Sequence, residues 1–208
     1  MARTFAIHKP ALKNQYTIIG PSRDTSTAEE CIFVKLRPAL NKRPFLVIHD
    51  GPDASCPVAA VSHLPAFARH YAIGLGDPKL TEDMIWEELR IAHSSGKKHT
   101  WAMDVDNDEH RGQQRRLHLV WTRTRSVTVD GMARPPLSTR NWKLTEELPA
   151  EGRPGRQDGK AATAESILAV FTSTTQLGKC GSMQVNVDYG REFDMMLFTT
   201  CLSIYSSG

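Results

Sequence analysis

At 208 residues, 40% of them hydrophobic and 24% charged, the chain has an ordinary globular composition and is long enough to bury a substantial core. A formal net charge of +3 permits an anionic partner but falls far short of the footprint of a dedicated nucleic-acid binder. Cys31, Cys56, Cys180 and Cys201 lie far apart with no C-x-x-C pair, which argues against a zinc site and for reduced thiols in a cytoplasmic protein.

The opening "MARTFAIHKP" has no apolar core of signal-peptide length, so secretion has no support. Short runs rich in β-branched and aromatic residues then follow one another, punctuated by Pro, Gly, Asp and Asn. In chain order they are 4–8, 15–20, 31–36 and 45–50, the last ending in the turn signal Asp50-Gly51-Pro52. Next come 57–64, 70–76 and 85–92. The run "TEDMIWEELRIA" also carries a helix start, with Thr81 as cap and acids in its first turn, but is read as strand. The series continues with 100–105, 115–124, 141–147, 166–174 and 182–188. In "RLHLVWTRT" Leu117, Leu119 and Trp121 share one side, and in "SMQVNVD" Met183, Val185 and Val187 do. Such alternation predicts antiparallel strands with one dry and one wet face. "DNDEHRGQQ" (106–114), "VDGMARPPLST" (129–139) and the Gly- and Pro-rich stretch 149–164 read as loops, the last a mobile one.

The chain then changes character. From Phe193 to Tyr205 only Asp194 is charged, and apolar residues occupy every phase of a helical wheel. A surface helix keeps a polar face, and a membrane span needs about 20 apolar residues. No transmembrane segment is therefore expected; a helix walled in by protein is. Twelve strands closed into a barrel leave a lumen too wide for side chains alone to fill. The expected fold is all-β with one helix: a single domain over 1–208, a closed antiparallel barrel of about twelve strands around a buried C-terminal helix.

This pattern resembles the tubby C-terminal domain and its LURP-one-related and scramblase-like relatives, in which a twelve-stranded barrel is threaded by such a helix. The most specific stretch is "IFVKLRPALNKRPFLVIHDG" (32–51). It is similar to the tubby segment in which a strand ends in Lys-Leu-Arg and a second strand of type Phe-x-Val-x-x-[Asp/Asn]-Gly follows. Here those positions are Lys35, Leu36, Arg37, Phe45, Val47, Asp50 and Gly51. "NQYTII" (14–19) resembles the strand upstream, with Gln15 where the family has asparagine and Asn14 one place earlier. The resemblance implies a non-enzymatic module binding phosphoinositide or other anionic head groups, peripheral to a membrane. Lys35 and Arg37 would be its central ligands, supported by Lys42, Arg43 and Gln15. Residues i and i+2 of a strand share a face, so the two cations stand side by side, a forked guanidinium and a point charge suited to phosphate.

An enzyme is the competing class. His49 with Asp50, His63 and His118 are the candidates for acid–base chemistry. Cys180, in "GKCGS", lies in a Gly-bounded turn, which makes it either an exposed reactive thiol or a strand-end cysteine without function. No G-x-S-x-G, H-E-x-x-H or Cys–His signature accompanies them, and no metal or cofactor is expected. The alternative function is thus a small-molecule enzyme of isomerase, cyclase or lyase type. Its site would lie at a barrel mouth lined by His and by some of Trp86, Trp101, Trp121 and Trp142. A nucleic-acid platform at "RRLHLVWTRTR" (115–125) is the weakest reading, since Trp121 is the one aromatic there to stack a base.

Overall fold

Twelve strands run in sequence order around the wall, all neighbours antiparallel. The computed structural model describes residues 2–22, 29–38, 44–65, 68, 70–80, 84–92, 96–106, 114–132, 140–147 and 166–206. The strands are β1 (Arg3–His8), β2 (Gln15–Pro21), β3 (Glu29–Leu36), β4 (Leu46–His49), β5 (Val58–His63) and β6 (His70–Leu75). They continue as β7 (Ile85–Ile91), β8 (Lys98–Asp106), β9 (Gln114–Thr124), β10 (Asn141–Glu146), β11 (Ile167–Ser173) and β12 (Lys179–Val185). β12 pairs back onto β1, Phe5 opposite Met183, and closes the barrel. Closure removes the free edges that an open sheet would expose. The stretch 149–164 and most of 106–114 lie outside the described residues, as do Lys42 and Arg43.

The last element, α1 (Gly190–Ser206), fills the lumen, and Phe193 through Ile204 are all buried. Its polar side chains do not contradict this. The Thr199 hydroxyl donates to the Met195 carbonyl at 2.7 Å, Thr200 to Leu197 at 3.0 Å and Ser203 to Thr199 at 2.7 Å. Each hydroxyl is satisfied by the helix's own backbone, so the surface presented to the barrel is in effect apolar. Asp194 receives both guanidinium arms of Arg3 on β1, at 2.6 and 2.9 Å. This bidentate pair ties the first turn of the helix to the first strand.

Inward side chains complete the packing. Phe5 meets Phe198 edge-on at 5.1 Å, Trp101 stacks on Phe193 at 6.5 Å, and Phe171 meets Tyr205 at 5.3 Å. Trp121, wholly buried, donates its indole N–H to the Thr200 hydroxyl at 2.9 Å. Gly20 makes room for Phe5, since a Cβ there would lie 2.1 Å from the Phe5 ring. At the far end of α1, Arg140 donates to the Tyr205 carbonyl at 3.2 Å, a cation placed where a helix end is negative.

Three expectations need correction. The wet outer face fails on β4, β11 and β12, where outward side chains such as Val47, Val170, Thr172 and Gln184 are also buried. Part of the cover is the segment after β9, which folds back so that Val129 N–H donates to Thr172 and Asp130 N–H to Gln184. The last strand begins at Lys179 rather than 182. Gly178, at φ +78°, makes the turn, while Gly181 lies within the strand, where a Cβ would meet the Thr172 carbonyl at 2.4 Å. Finally, both faces of β9 being partly basic suggests an edge or a protruding hairpin, and this holds only in part. β9 pairs with β8 from Gln114 to Thr122 but with β10 only from Leu119 to Thr124, so Arg115 and Arg116 lie where the β8–β9 hairpin extends past β10.

One seam of the wall is incomplete. β7 and β8 pair only at Arg90–Thr100 and Ile91–His99, whereas β8 and β9 pair from Lys98 to Asp106. Pairing with Ile73 of β6 puts Glu87 on the same side of the strand as Leu89, next to this gap. An unpaired carboxylate in an apolar lumen is costly. Glu87 instead meets Arg116, which reaches across from β9 at 2.7 Å and also holds Asp104 at 3.1 Å.

Candidate functional site

With the lumen occupied, chemistry is confined to the outer wall and the two rims. Strict up-and-down order sends alternate connections to opposite rims. One rim collects the segments after β1, β3, β5, β7, β9 and β11 together with the end of α1. Among the described connecting residues it carries Lys9, Lys13, Arg37, Lys97, Arg125 and Arg140, against one carboxylate, Asp130. The other rim, together with the start of α1, carries Asp50, Asp53, Asp77, Glu147, Asp188 and Glu192, against two cations, Lys79 and Arg191. Among the described residues the barrel is charged oppositely at its two ends.

Lys35 lies near the end of β3 and Arg37 just past it, both exposed, at the basic rim. The Arg37 N–H donates to the Phe45 carbonyl at 2.7 Å, which extends the β3–β4 pairing past Leu36. Gln15 opens β2 directly opposite Lys35, on the same outward side. The structure thus brings Lys35, Arg37 and Gln15 together. Neither cation has an acidic partner among the described residues. By contrast Arg3, Arg90, Arg115, Arg116 and Arg191 are all held by carboxylates. Arg115 and Arg116 are pushed up from their ordinary values chiefly by hydrogen bonds to Glu146 and Glu87. Lys9 lies beside the patch, its ammonium 5.4 Å from the Tyr16 ring.

The histidines are not brought together. His49 is buried, with its Nδ1–H donating to the Cys56 carbonyl at 2.8 Å and its ring against Phe33. Its neighbour Asp50 turns to Arg191 instead. His118 is exposed on the outer face of β9, five strands along the wall from β4. His63 packs on Trp86 at 5.7 Å, and burial pulls its pKa down. His99, which no sequence signal singled out, is buried against Trp142 and hydrogen-bonded to the Gly96 carbonyl at 3.2 Å; burial lowers its pKa as well.

The thiols are poorly placed for reactivity. Cys180 is buried in β12 rather than displayed in a turn, and burial pushes it up to about 11. Cys201, inside the helix, is also raised well above its ordinary value by burial. A thiolate is the reactive form, and neither residue supplies one near neutrality. Trp121 cannot stack a base, because it is wholly buried and bonded to the helix. Among the described residues no group of three His, Cys, Asp or Glu is placed to hold a metal ion, and no helix is long and apolar enough to cross a membrane.

No protein-family model, curated protein or solved structure matches this chain.

Proposed function

We propose that the chain is a non-enzymatic binding module of the tubby-like superfamily that docks on anionic head groups, phosphoinositides in particular, by its basic rim. The supporting observation is the state of Lys35 and Arg37. They are exposed neighbours with no carboxylate among the described residues, on a rim whose connections are almost purely cationic. A cation already held by a carboxylate must give up that partner before it can bind phosphate, and among the described residues these two have none to give up. Gln15 opposite Lys35 adds a neutral amide donor. In this reading Lys42 and Arg43, from the connection that follows, enlarge the patch.

Each basic residue near an anionic leaflet contributes about 1 kcal/mol, so attachment is reversible. Vesicle sedimentation tests it, with phosphatidylcholine vesicles containing or lacking phosphatidylinositol bisphosphate. The wild type should sediment only with the former. Lys35→Ala/Arg37→Ala should weaken binding by about 2 kcal/mol, roughly thirtyfold. Raising salt from about 0.1 to about 1 M, which shortens the screening length from about 10 to about 3 Å, should release the protein. Equal binding by both proteins, or binding indifferent to salt, removes the proposal.

A further inference from the structure

The two most exposed large apolar side chains among the described residues sit on neighbouring hairpins of the basic rim. Leu12, in the connection from β1 to β2, is 107% exposed, and Leu177, in the connection from β11 to β12, is 90% exposed. β1 and β12 pair along the wall, and beyond that pairing the Lys9 N–H donates to the Gly178 carbonyl at 3.0 Å. The two tips are thereby held side by side. On the other flank the Leu36 N–H donates to the Asn14 carbonyl at 2.9 Å, which sets the Leu12 hairpin against the strand end that carries Lys35 and Arg37.

A lone exposed leucine needs no explanation. These two differ in conformation and company. Leu12 is, among the described residues, the one non-glycine residue with a positive φ, 63°. Glycine, asparagine and aspartate ordinarily fill that left-handed region, because a Cβ is crowded there by the neighbouring carbonyl. The hairpin thus keeps a leucine in a conformation that disfavours it, at a place where its side chain gains nothing from the core. Leu177 stands in a turn just before Gly178, which has φ +78°, where a small polar residue is the usual choice. Lys9 and Lys13 flank the first tip and Lys179 follows the second, with no carboxylate in either connection. Leu80 marks the contrast: it is 62% exposed, but on the acidic rim, three residues after Asp77.

Apolar tips that project beyond a cationic surface fit the boundary of an anionic bilayer. There leucines enter the acyl region while lysine ammoniums stay among the phosphates. We propose that the Leu12 and Leu177 tips form a membrane-insertion site beside the cation patch. The choice of an anionic bilayer rests on the basic-rim reading above. A soluble head group engages the cations alone, whereas a bilayer engages both cations and leucines.

That difference gives the test. Leu12→Asn/Leu177→Ser removes both tips, and asparagine suits the left-handed position, so the fold is kept. The probes are phosphatidylcholine vesicles containing phosphatidylinositol bisphosphate, and soluble inositol trisphosphate. Burial of one leucine is worth roughly tenfold in partition. The leucine variant should therefore bind vesicles about a hundredfold more weakly, and inositol trisphosphate as the wild type does. Lys35→Ala/Arg37→Ala should weaken both probes, and Leu80→Ser neither. On a monolayer of the same lipids the wild type should raise the surface pressure, and the leucine variant should not. Vesicle binding by the leucine variant equal to that of the wild type, a flat surface pressure with the wild type, or an equal loss in Leu80→Ser overturns the insertion site. If the leucine variant loses vesicle binding while Lys35→Ala/Arg37→Ala keeps it, the tips insert and the cation reading fails. A wild type that binds no vesicle overturns both.

Discussion

Thr199 and Thr200 are adjacent, both wholly buried in α1, and both donate to a helix carbonyl. Only Thr200 also accepts a hydrogen bond, from the Trp121 indole at 2.9 Å. Changing each in turn to valine therefore separates two costs on the same helix. In Thr199→Val the lost hydroxyl leaves behind a carbonyl that retains its backbone partner, and the shape is kept, so the change should be close to neutral. In Thr200→Val the Trp121 N–H is stranded in the core, with no acceptor and no water, a penalty of about 1–3 kcal/mol. For a chain of this size about 2 kcal/mol corresponds to a fall of roughly 4–8 °C in Tm. Thermal and urea unfolding of both variants would measure the difference. A cycle with Trp121→Phe removes the donor, so the extra cost of Thr200→Val should vanish in that background. Equal losses in the two valine variants, or a Thr200→Val cost that survives Trp121→Phe, would refute the packing of the helix against β9.

Other consequences are simpler to state. Arg3→Ala leaves Asp194, 2% exposed, without the bidentate partner from β1. Breaking a buried pair from one side should cost about 3–5 kcal/mol, read by urea unfolding, and Arg3→Ala/Asp194→Leu should recover part of it. His63 and His99 have pKa values lowered by burial from an ordinary 6.5. The unfolded chain then takes up their protons first, so stability should fall as pH drops below about 6.5. His99→Gln should flatten the decline of Tm with falling pH; a profile as steep as that of the wild type would count against a buried neutral imidazole. Cys180 and Cys201 should stay unlabelled by a thiol reagent near pH 8 until the protein unfolds.

What the sequence made legible follows from where the physics is local. An element apolar at every phase has few places to go, and the run from Phe193 to Tyr205 identified the lumen helix without reference to any contact. Runs of β-branched and aromatic residues between turn residues located the twelve strands, and alternation gave their two faces because side chains in a strand have a period of two. It misjudged their outer faces because the cover over Thr172 and Gln184 comes from a segment more than forty residues away. Gly181 was read as turn punctuation, although its role is a close approach to the β11 backbone. The partner of Asp194 stands 191 positions away and leaves no local trace. Two signals were present but went unread. Glu87 interrupts the alternation Ile85, Leu89, Ile91 on one side of the strand, and the wall opens there. The charge polarity of the rims also follows from summing alternate connections separately, once an up-and-down barrel is assumed.

The account rests on α1 being enclosed, since that confines binding to the rims and the wall. Hydrogen exchange along the helix tests this most directly. Amides from Phe193 to Ile204 should exchange only through global unfolding, as slowly as the slowest strand amides and with the same dependence on denaturant. If those amides exchange by local opening, well ahead of the strands, then the helix is not held inside the barrel and both proposed sites lose their basis.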